Sequence, residues 1–182
     1  VHDSGRGRVL NGEGGIVNPP KADPAVSLAE VSRLLYDEAD CLDRADLDAW
    51  ADLYTDDGVY WMPAAPGQTD SDTHISLVYD DRLMMELRRR NFGHRFSASM
   101  AYPVRCSHLI GNVRLGAGDD HAPDIVATSN FQAVVFYRET QTLYAGRYTH
   151  RLARVDGALK IAHKRVDLLN ADAEHGNLVI YL

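Results

Sequence analysis

Cysteine is scarce in this sequence, which holds only Cys41 and Cys106 among its 182 residues. So few thiols do not form the disulfide framework of a small secreted domain. We therefore expect two small buried hydrophobic side chains in a reducing, cytoplasmic protein. A metal site built on paired cysteines needs them to lie close together, and two cysteines 65 positions apart do not indicate such a pair.

Long apolar runs are also missing. No stretch reaches the roughly 20 apolar residues of a membrane helix, and the first residues lack the apolar core of a signal peptide. The net charge of −7 argues against a nucleic-acid partner. We therefore predict that neither a membrane nor a nucleic acid is a partner. The charge is divided unevenly, since residues 1–90 hold 18 acidic and 9 basic residues whereas residues 91–182 hold 8 and 10.

Histidine occurs eight times, but the eight residues are scattered along the chain. A metal site of two His and a carboxylate needs these ligands to converge on one open face. His108, His150 and His163 fall in predicted strands, where they are more simply interpreted as ordinary polar positions. The sequence therefore predicts no catalytic, cofactor-binding or metal-ligating residue in this chain.

The length is that of one domain. Glycine and proline crowd residues 1–24, which have little to bury, so we predict a flexible N-terminal tail there and a single domain over residues 25–182.

Three amphipathic helices are predicted in the first half of that domain. Ser27 and Glu30 form a capping box that begins a helix reaching to about Asp43, with its apolar face on Leu28, Val31, Leu35 and Leu42. A second, shorter helix begins at Asp46, presents Leu47, Trp50, Ala51 and Tyr54, and is ended by residues 55–58. A third begins at Asp80-Asp81, carries Leu83, Met84 and Leu87, and ends in Arg88-Arg89-Arg90, where the helix dipole favours bases.

Strands dominate the rest of the chain. Residues 59–62 form a first strand, residues 75–79 a short strand or the approach to a helix, and residues 104–115 a long strand. Three further strands follow over residues 125–138, 142–155 and 158–169. The last two are joined by Asp156-Gly157, a two-residue hairpin signal. Residues 177–182 alternate in polarity and predict a closing strand. The order indicates an α+β fold, a curved antiparallel sheet forming a half-cone with about three helices on its concave face.

Several stretches resemble one known family, the small (β) subunits of the aromatic-ring-hydroxylating dioxygenases, within the nuclear-transport-factor-2-like (cystatin-like) cone fold. The most specific stretch is Ile75–Arg82. The others are Asp46–Pro63, Arg105–Val113, Gly146-Arg147-Tyr148 and Asn177–Leu182. Together they span roughly residues 28–182 in the family's order.

The resemblance implies a structural, non-catalytic subunit of a bacterial oxidoreductase that adds dioxygen to an aromatic ring in aromatic-compound catabolism. It implies a large (α) subunit as partner, which would hold a Rieske 2Fe-2S cluster and a mononuclear Fe(II) and receive electrons that come from NADH. Three large plus three small subunits are typical, with the small subunits in contact as a trimer. Candidate contact or structural residues in this chain are Tyr79, Asp80, Asp81, Arg82, Arg105 and Arg147.

Two other functions remain open. Stand-alone cone proteins include isomerases and dehydratases that need a tuned acid or base. The candidates here are Asp40, Tyr36, Tyr60 and His108. Asp40 is more simply interpreted as a solvent-exposed residue at the margin of the apolar face of its helix. The third possibility is an interaction module with no enzyme attached. For Tyr79–Arg82, the simpler interpretation is a helix start with local pairing of Arg82.

Overall fold

The structure is a computed structural model that describes residues 26–92, 102–116, 125–176 and 178–182. The predicted tail over residues 1–24 lies outside the described residues. The elements are α1 (Leu28–Asp43), α2 (Leu47–Asp52), β1 (Tyr54–Pro63), β2 (Ser76–Asp80), α3 (Arg82–Asn91), β3 (Arg105–Gly116), β4 (Ile125–Tyr137), β5 (Thr140–Val155) and β6 (Ala158–Leu168). None of the described helices is long and apolar enough to cross a membrane.

The six strands form one curved sheet in the order β2-β1-β6-β5-β4-β3. The run from β3 to β6 is antiparallel, as predicted. The Asp156-Gly157 turn is confirmed, with φ values of 49° and 83° between the paired residues Val155 and Ala158. The β4–β5 turn is also a two-residue turn, and its residues Arg138 and Glu139 both have positive φ. The sequence lacks a glycine signal at that point, so its turn type was not recognised.

One pair of strands departs from the predicted antiparallel sheet. β1 pairs with β6 in parallel, with Tyr60 opposite Lys164, whereas β1 and β2 form an antiparallel pair. The parallel pair arises because β1 returns from the helical layer to lie beside β6, between β6 and the edge strand β2. Bulges between Gly111 and Arg114 and between Arg151 and Leu152 interrupt the register and bend the sheet.

The helix caps agree with the sequence. The side chain of Ser27 accepts a hydrogen bond from the Glu30 amide, and Asp46 and Asp81 cap α2 and α3 in the same way. The Glu30 carboxylate, predicted to close the capping box, binds Arg154 of β5. Leu28 was predicted on the buried face of α1 but is 47% exposed, because it lies in the first turn of the helix, which the sheet does not cover.

Two predictions about the helices were wrong in detail. Residues 55–58 and Tyr54 do not end α2, since they belong to β1, which begins immediately after the short helix. The apolar residues predicted for α3, Leu83, Met84 and Leu87, are exposed, and Met85 is the residue that this helix buries. A helix that contacts only one edge of the domain needs just a narrow buried face.

The segment 178–182 is docked into the core without forming the predicted strand. Ile180, Tyr181 and Leu182 are buried, and the ring of Tyr181 stacks on Trp50 at 4.2 Å between ring centroids. The hydroxyl of Tyr60 donates to the Leu182 carbonyl and accepts from the Leu182 amide, both at 3.2 Å. The alternation that predicted a strand therefore reflects aromatic and side-chain anchoring instead of a β ladder.

Candidate functional site

A fully buried ionic cluster lies between α1 and the sheet. Glu38 of α1 receives Lys164 of β6 at 3.0 Å on Oε1 and His150 of β5 at 3.0 Å on Oε2. The indole N–H of Trp50 and the hydroxyl of Tyr54 also donate to Oε1, at 3.3 and 3.1 Å. The side chains of all three charged or titratable residues are at most 2% exposed. This arrangement satisfies the carboxylate from several elements at once.

Burial alone would raise the pKa of Glu38, but the Lys164 ammonium and the His150 imidazole hold that pKa well below its usual range. Burial lowers the pKa of both partners. The Lys164 ammonium also lies 4.1 Å from the centroid of the Tyr148 ring. His150 Nε2 lies within hydrogen-bonding distance of the Glu38 carboxylate, and its buried Nδ1 has no protein partner.

A second cluster joins the end of α1 to β3. The Asp43 carboxylate accepts the backbone amide of His108 on both oxygens at 3.0 Å and lies 2.7 Å from its ring Nδ1. The Cys106 thiol, on the same face of β3, donates to the Leu42 carbonyl at 3.0 Å. Burial, together with Asp43, raises the pKa of Cys106 to about 12. Burial lowers the pKa of His108, whose Nε2 is buried without a protein partner.

The structure does not assemble the four candidates for acid–base catalysis into one site. Asp40 is an exposed residue paired with Arg44 one turn later on α1, and Tyr36 is 51% exposed. Tyr60 is buried, but its hydroxyl holds the backbone of Leu182 and burial raises its pKa. Of the four, His108 alone meets a carboxylate in the protein interior, that of Asp43.

Most residues of the Tyr79–Arg82 stretch make contacts within this chain. Asp80 is 1% exposed and receives Arg88 of α3 and the Tyr181 hydroxyl, the latter at 2.6 Å. Asp81 caps α3, as the simpler interpretation predicted. Arg82 does not pair locally as predicted, because its guanidinium reaches the Ala51 carbonyl of α2 at 2.7 Å. Tyr79 is 46% exposed and is free of that internal role.

Arg105 and Arg147 both lie on the outer face of the sheet, the face turned away from the helices. Arg105 packs over the ring of Phe136 at 4.5 Å, and Arg147 borders an open groove of about 540 Å³. The groove runs between Leu109 and Leu169, which are 68% and 80% exposed. Leu143 stands on the same face and is 61% exposed. We call Leu109, Leu143, Leu169 and Arg147 the outer-face patch.

Sequence reasoning did not recognise Glu38 and Lys164 as interior residues, and it named Asp43 only as the end of a helix. Glu38 was passed over among the acids of α1, although its spacing from Leu35 and Leu42 places it on the apolar face of that helix. Lys164 was also passed over, although it alternates with the apolar residues Val166 and Leu168 on β6. One signal was present and overlooked: Cys106 and His108 stand in Cys-x-His spacing. A single such pair does not make a Rieske ligand set, but in a strand it places a thiol and an imidazole on one face.

The fold and these surfaces define a class of protein: an α+β cone with an apolar core that encloses an ionic cluster, and with exposed apolar positions on the outer face. A family model described as "Ring hydroxylating beta subunit" matches residues 37–173. The small oxygenase component of the p-cumate 2,3-dioxygenase system from Pseudomonas putida is 33% identical over 86% of this chain and 88% of its own length. The 2-halobenzoate 1,2-dioxygenase small subunit from Burkholderia cepacia is 30% identical over 85% and 95%.

Among solved structures, the β subunit of the benzoate 1,2-dioxygenase from Burkholderia mallei ATCC 23344 superposes with a TM-score of 0.66. It is 30% identical to this chain and covers 81% of this chain and 94% of its own. This chain belongs to the family of ring-hydroxylating β subunits, the small subunits of aromatic-ring-hydroxylating oxidoreductases.

Proposed function

We propose that this chain is the structural small subunit of an oxygenase that adds dioxygen to the ring of an aromatic carboxylic acid. The observation that carries the proposal is the family match over residues 37–173. The relatives reported above are named for p-cumate, 2-halobenzoate and benzoate, which are all benzoic acids. The substrate class follows from those names, whereas the choice of substrate belongs to the pocket of the large subunit.

In this proposal the large subunit holds the Rieske 2Fe-2S cluster and the mononuclear Fe(II), and NADH is the upstream source of electrons. The two cysteines of this chain, Cys41 on α1 and Cys106 on β3, are 65 positions apart, and only Cys106 stands in Cys-x-His spacing, which supports placing the Rieske ligand set on the large subunit. The small subunit then contributes assembly and rigidity. Three large and three small subunits form the complex, in the cytoplasm, and the small subunits contact one another around a three-fold axis.

The outer surface supports a subunit role. The outer-face patch and the three exposed residues of α3, Leu83, Met84 and Leu87, leave large apolar side chains in solvent on two separate sides of the domain. Contiguous exposed apolar surface is typical of protein–protein contacts. Two such sides suit a subunit that must contact both a neighbouring small subunit and a large one. Tyr79, Arg105 and Arg147 remain candidate subunit contacts, whereas Asp80, Asp81 and Arg82 serve inside the chain.

Co-expression with a large oxygenase subunit from the same source tests this function. We expect light scattering to give the mass of a complex with three copies of each chain, and oxygen uptake with a benzoic acid to require that complex and an electron donor. Leu143→Asp should prevent assembly while the isolated small subunit stays folded. Val155→Asp, at the exposed β5–β6 turn, is the matched control and should assemble normally. Turnover by the small subunit alone would refute the proposal.

The stand-alone isomerase or dehydratase is the second candidate, and the interior clusters are the observation that favours it. A buried carboxylate with a neutral histidine is the kind of pair from which acid–base sites are built. Its test is turnover by the isolated chain on an enolisable or dehydratable ring substrate. There, loss of one positioned acid or base costs about a hundred- to ten-thousand-fold in rate.

A further inference from the structure

The end of α1 and the start of β3 place a carboxylate, a thiol and an imidazole together. One potential ligand atom each from Asp43, Cys106 and His108 lies within 4.8 Å of the other two, and among the residues that the structure describes these three form the group able to hold a metal ion. From this juxtaposition we propose a binding site for one divalent transition-metal ion of the zinc class, formed by the Asp43 carboxylate, the Cys106 sulfur and His108 Nδ1.

The backbone presents these ligands on rigid elements. Cys106 and His108 are two residues apart on β3, so both side chains leave the strand on the face that packs against α1. Asp43 is the last residue of α1, and its two oxygens hold the His108 amide at 3.0 Å. Helix and strand are therefore already joined at the position where the metal would sit.

The donor set selects the kind of ion. One sulfur, one nitrogen and one oxygen suit zinc and its neighbours, whereas calcium and magnesium prefer oxygen ligands alone. Three protein ligands with an open fourth position are typical of zinc sites that keep a bound water. The Asp43 side chain is 28% exposed, so the cluster is close enough to solvent for an ion to enter.

Charge also favours a divalent ion. On binding, the Cys106 sulfur exchanges its proton for the metal, and that single proton is released to solvent. The imidazole stays neutral, and its hydrogen moves from Nδ1 to Nε2. A dication then faces the Asp43 carboxylate and the Cys106 thiolate, so the half-buried site becomes electrically neutral. Because a metal site couples binding to folding, the ion would fasten α1 to β3.

Metal titration of the isolated small subunit tests the proposal. After treatment with a chelator, the full chain should bind one Co²⁺ per molecule with the charge-transfer absorption of a thiolate ligand and the visible bands of tetrahedral Co²⁺. Zn²⁺ should displace the Co²⁺ and raise the midpoint temperature of unfolding. Absence of a thiolate–cobalt band at stoichiometric Co²⁺ would overturn the site.

The variants separate these ligands from the chain's other metal-binding side chains. Cys106→Ser should remove the charge-transfer band and weaken Zn²⁺ binding at least about 100-fold, since loss of an outer-shell partner alone costs 10- to 100-fold. His108→Gln should weaken binding similarly. Cys41→Ser, which changes the other thiol, is the matched control and should bind as the wild type does. Equal Zn²⁺ affinity in Cys106→Ser and wild type would refute the proposal. These measurements need no large subunit, so their outcome does not depend on the proposed oxygenase function.

Discussion

The interior of the cone and the outer face of its sheet differ in where charged and apolar side chains lie. Inside, Glu38, His150 and Lys164 are enclosed completely, and Trp50 and Tyr148 fill the space beside them. Outside, Leu109, Leu143 and Leu169 face solvent. A stand-alone enzyme of this fold would place its apolar and polar groups around an open pocket. This chain encloses a hydrogen-bonded ionic cluster within its apolar core and keeps several large apolar side chains exposed on its outer face.

Removing one charge of the buried ion pair is the strongest test of the difference between the interior and the outer face. Lys164→Met should lower the free energy of unfolding by about 3–5 kcal/mol, because it leaves Glu38 buried without its cation. Urea denaturation of the isolated subunit measures the loss. The double variant Glu38→Gln/Lys164→Met should recover part of it, since both charges are then gone. A single variant as stable as the wild type would show that solvent reaches Glu38.

Gly146 tests how tightly β5 is held against β6. A Cβ at this position would lie 2.1 Å from the Asp167 carbonyl oxygen, which is backbone and has little freedom to move away. We expect Gly146→Ala to cost about 1–3 kcal/mol in unfolding free energy. Gly111→Ala is the matched control, because a Cβ there meets nothing within 4 Å. Similar midpoints of thermal unfolding for the two variants would contradict this interpretation.

The pH dependence of stability reports on His163, which lies beside the ring of Trp61. Burial and the nearby Arg151 and Arg165 lower its pKa from 6.5 to about 4. Between those two values the unfolded chain binds a proton that the folded chain does not, so stability falls as pH drops from about 6.5 to about 4. His163→Gln should reduce that slope in thermal unfolding. His74→Gln, in the exposed loop after β1, should keep the wild-type slope.

Asp40 gives the smallest expected effect. Its pair with Arg44 is exposed on both sides, so Asp40→Asn should change stability by about 0–1 kcal/mol. In a well-assembled complex the variant should turn over the aromatic substrate at nearly the wild-type rate. A large loss of turnover at equal assembly would reopen an acid–base role for this residue.

The sequence by itself determined the local structure. Ser27, Asp46 and Asp81 cap their helices because each side-chain oxygen needs only an amide two or three residues away. Asp156-Gly157 turns the chain because glycine adopts positive φ freely. The antiparallel run from β3 to β6 follows from hairpins, and the family motifs are strings of neighbouring residues that can be compared without coordinates.

Only the tertiary structure decided what depends on partners far along the chain. Glu38 meets Lys164 across 126 positions of sequence, so nothing near either residue identifies the other as its partner. The parallel pairing of β1 with β6 depends on the path of the whole helical layer. Cys106 and His108 were visible as neighbours, but Asp43 joins them only because α1 ends over β3. Local patterns record which element a residue belongs to, whereas the surroundings of its side chain are set by elements that the fold brings from elsewhere.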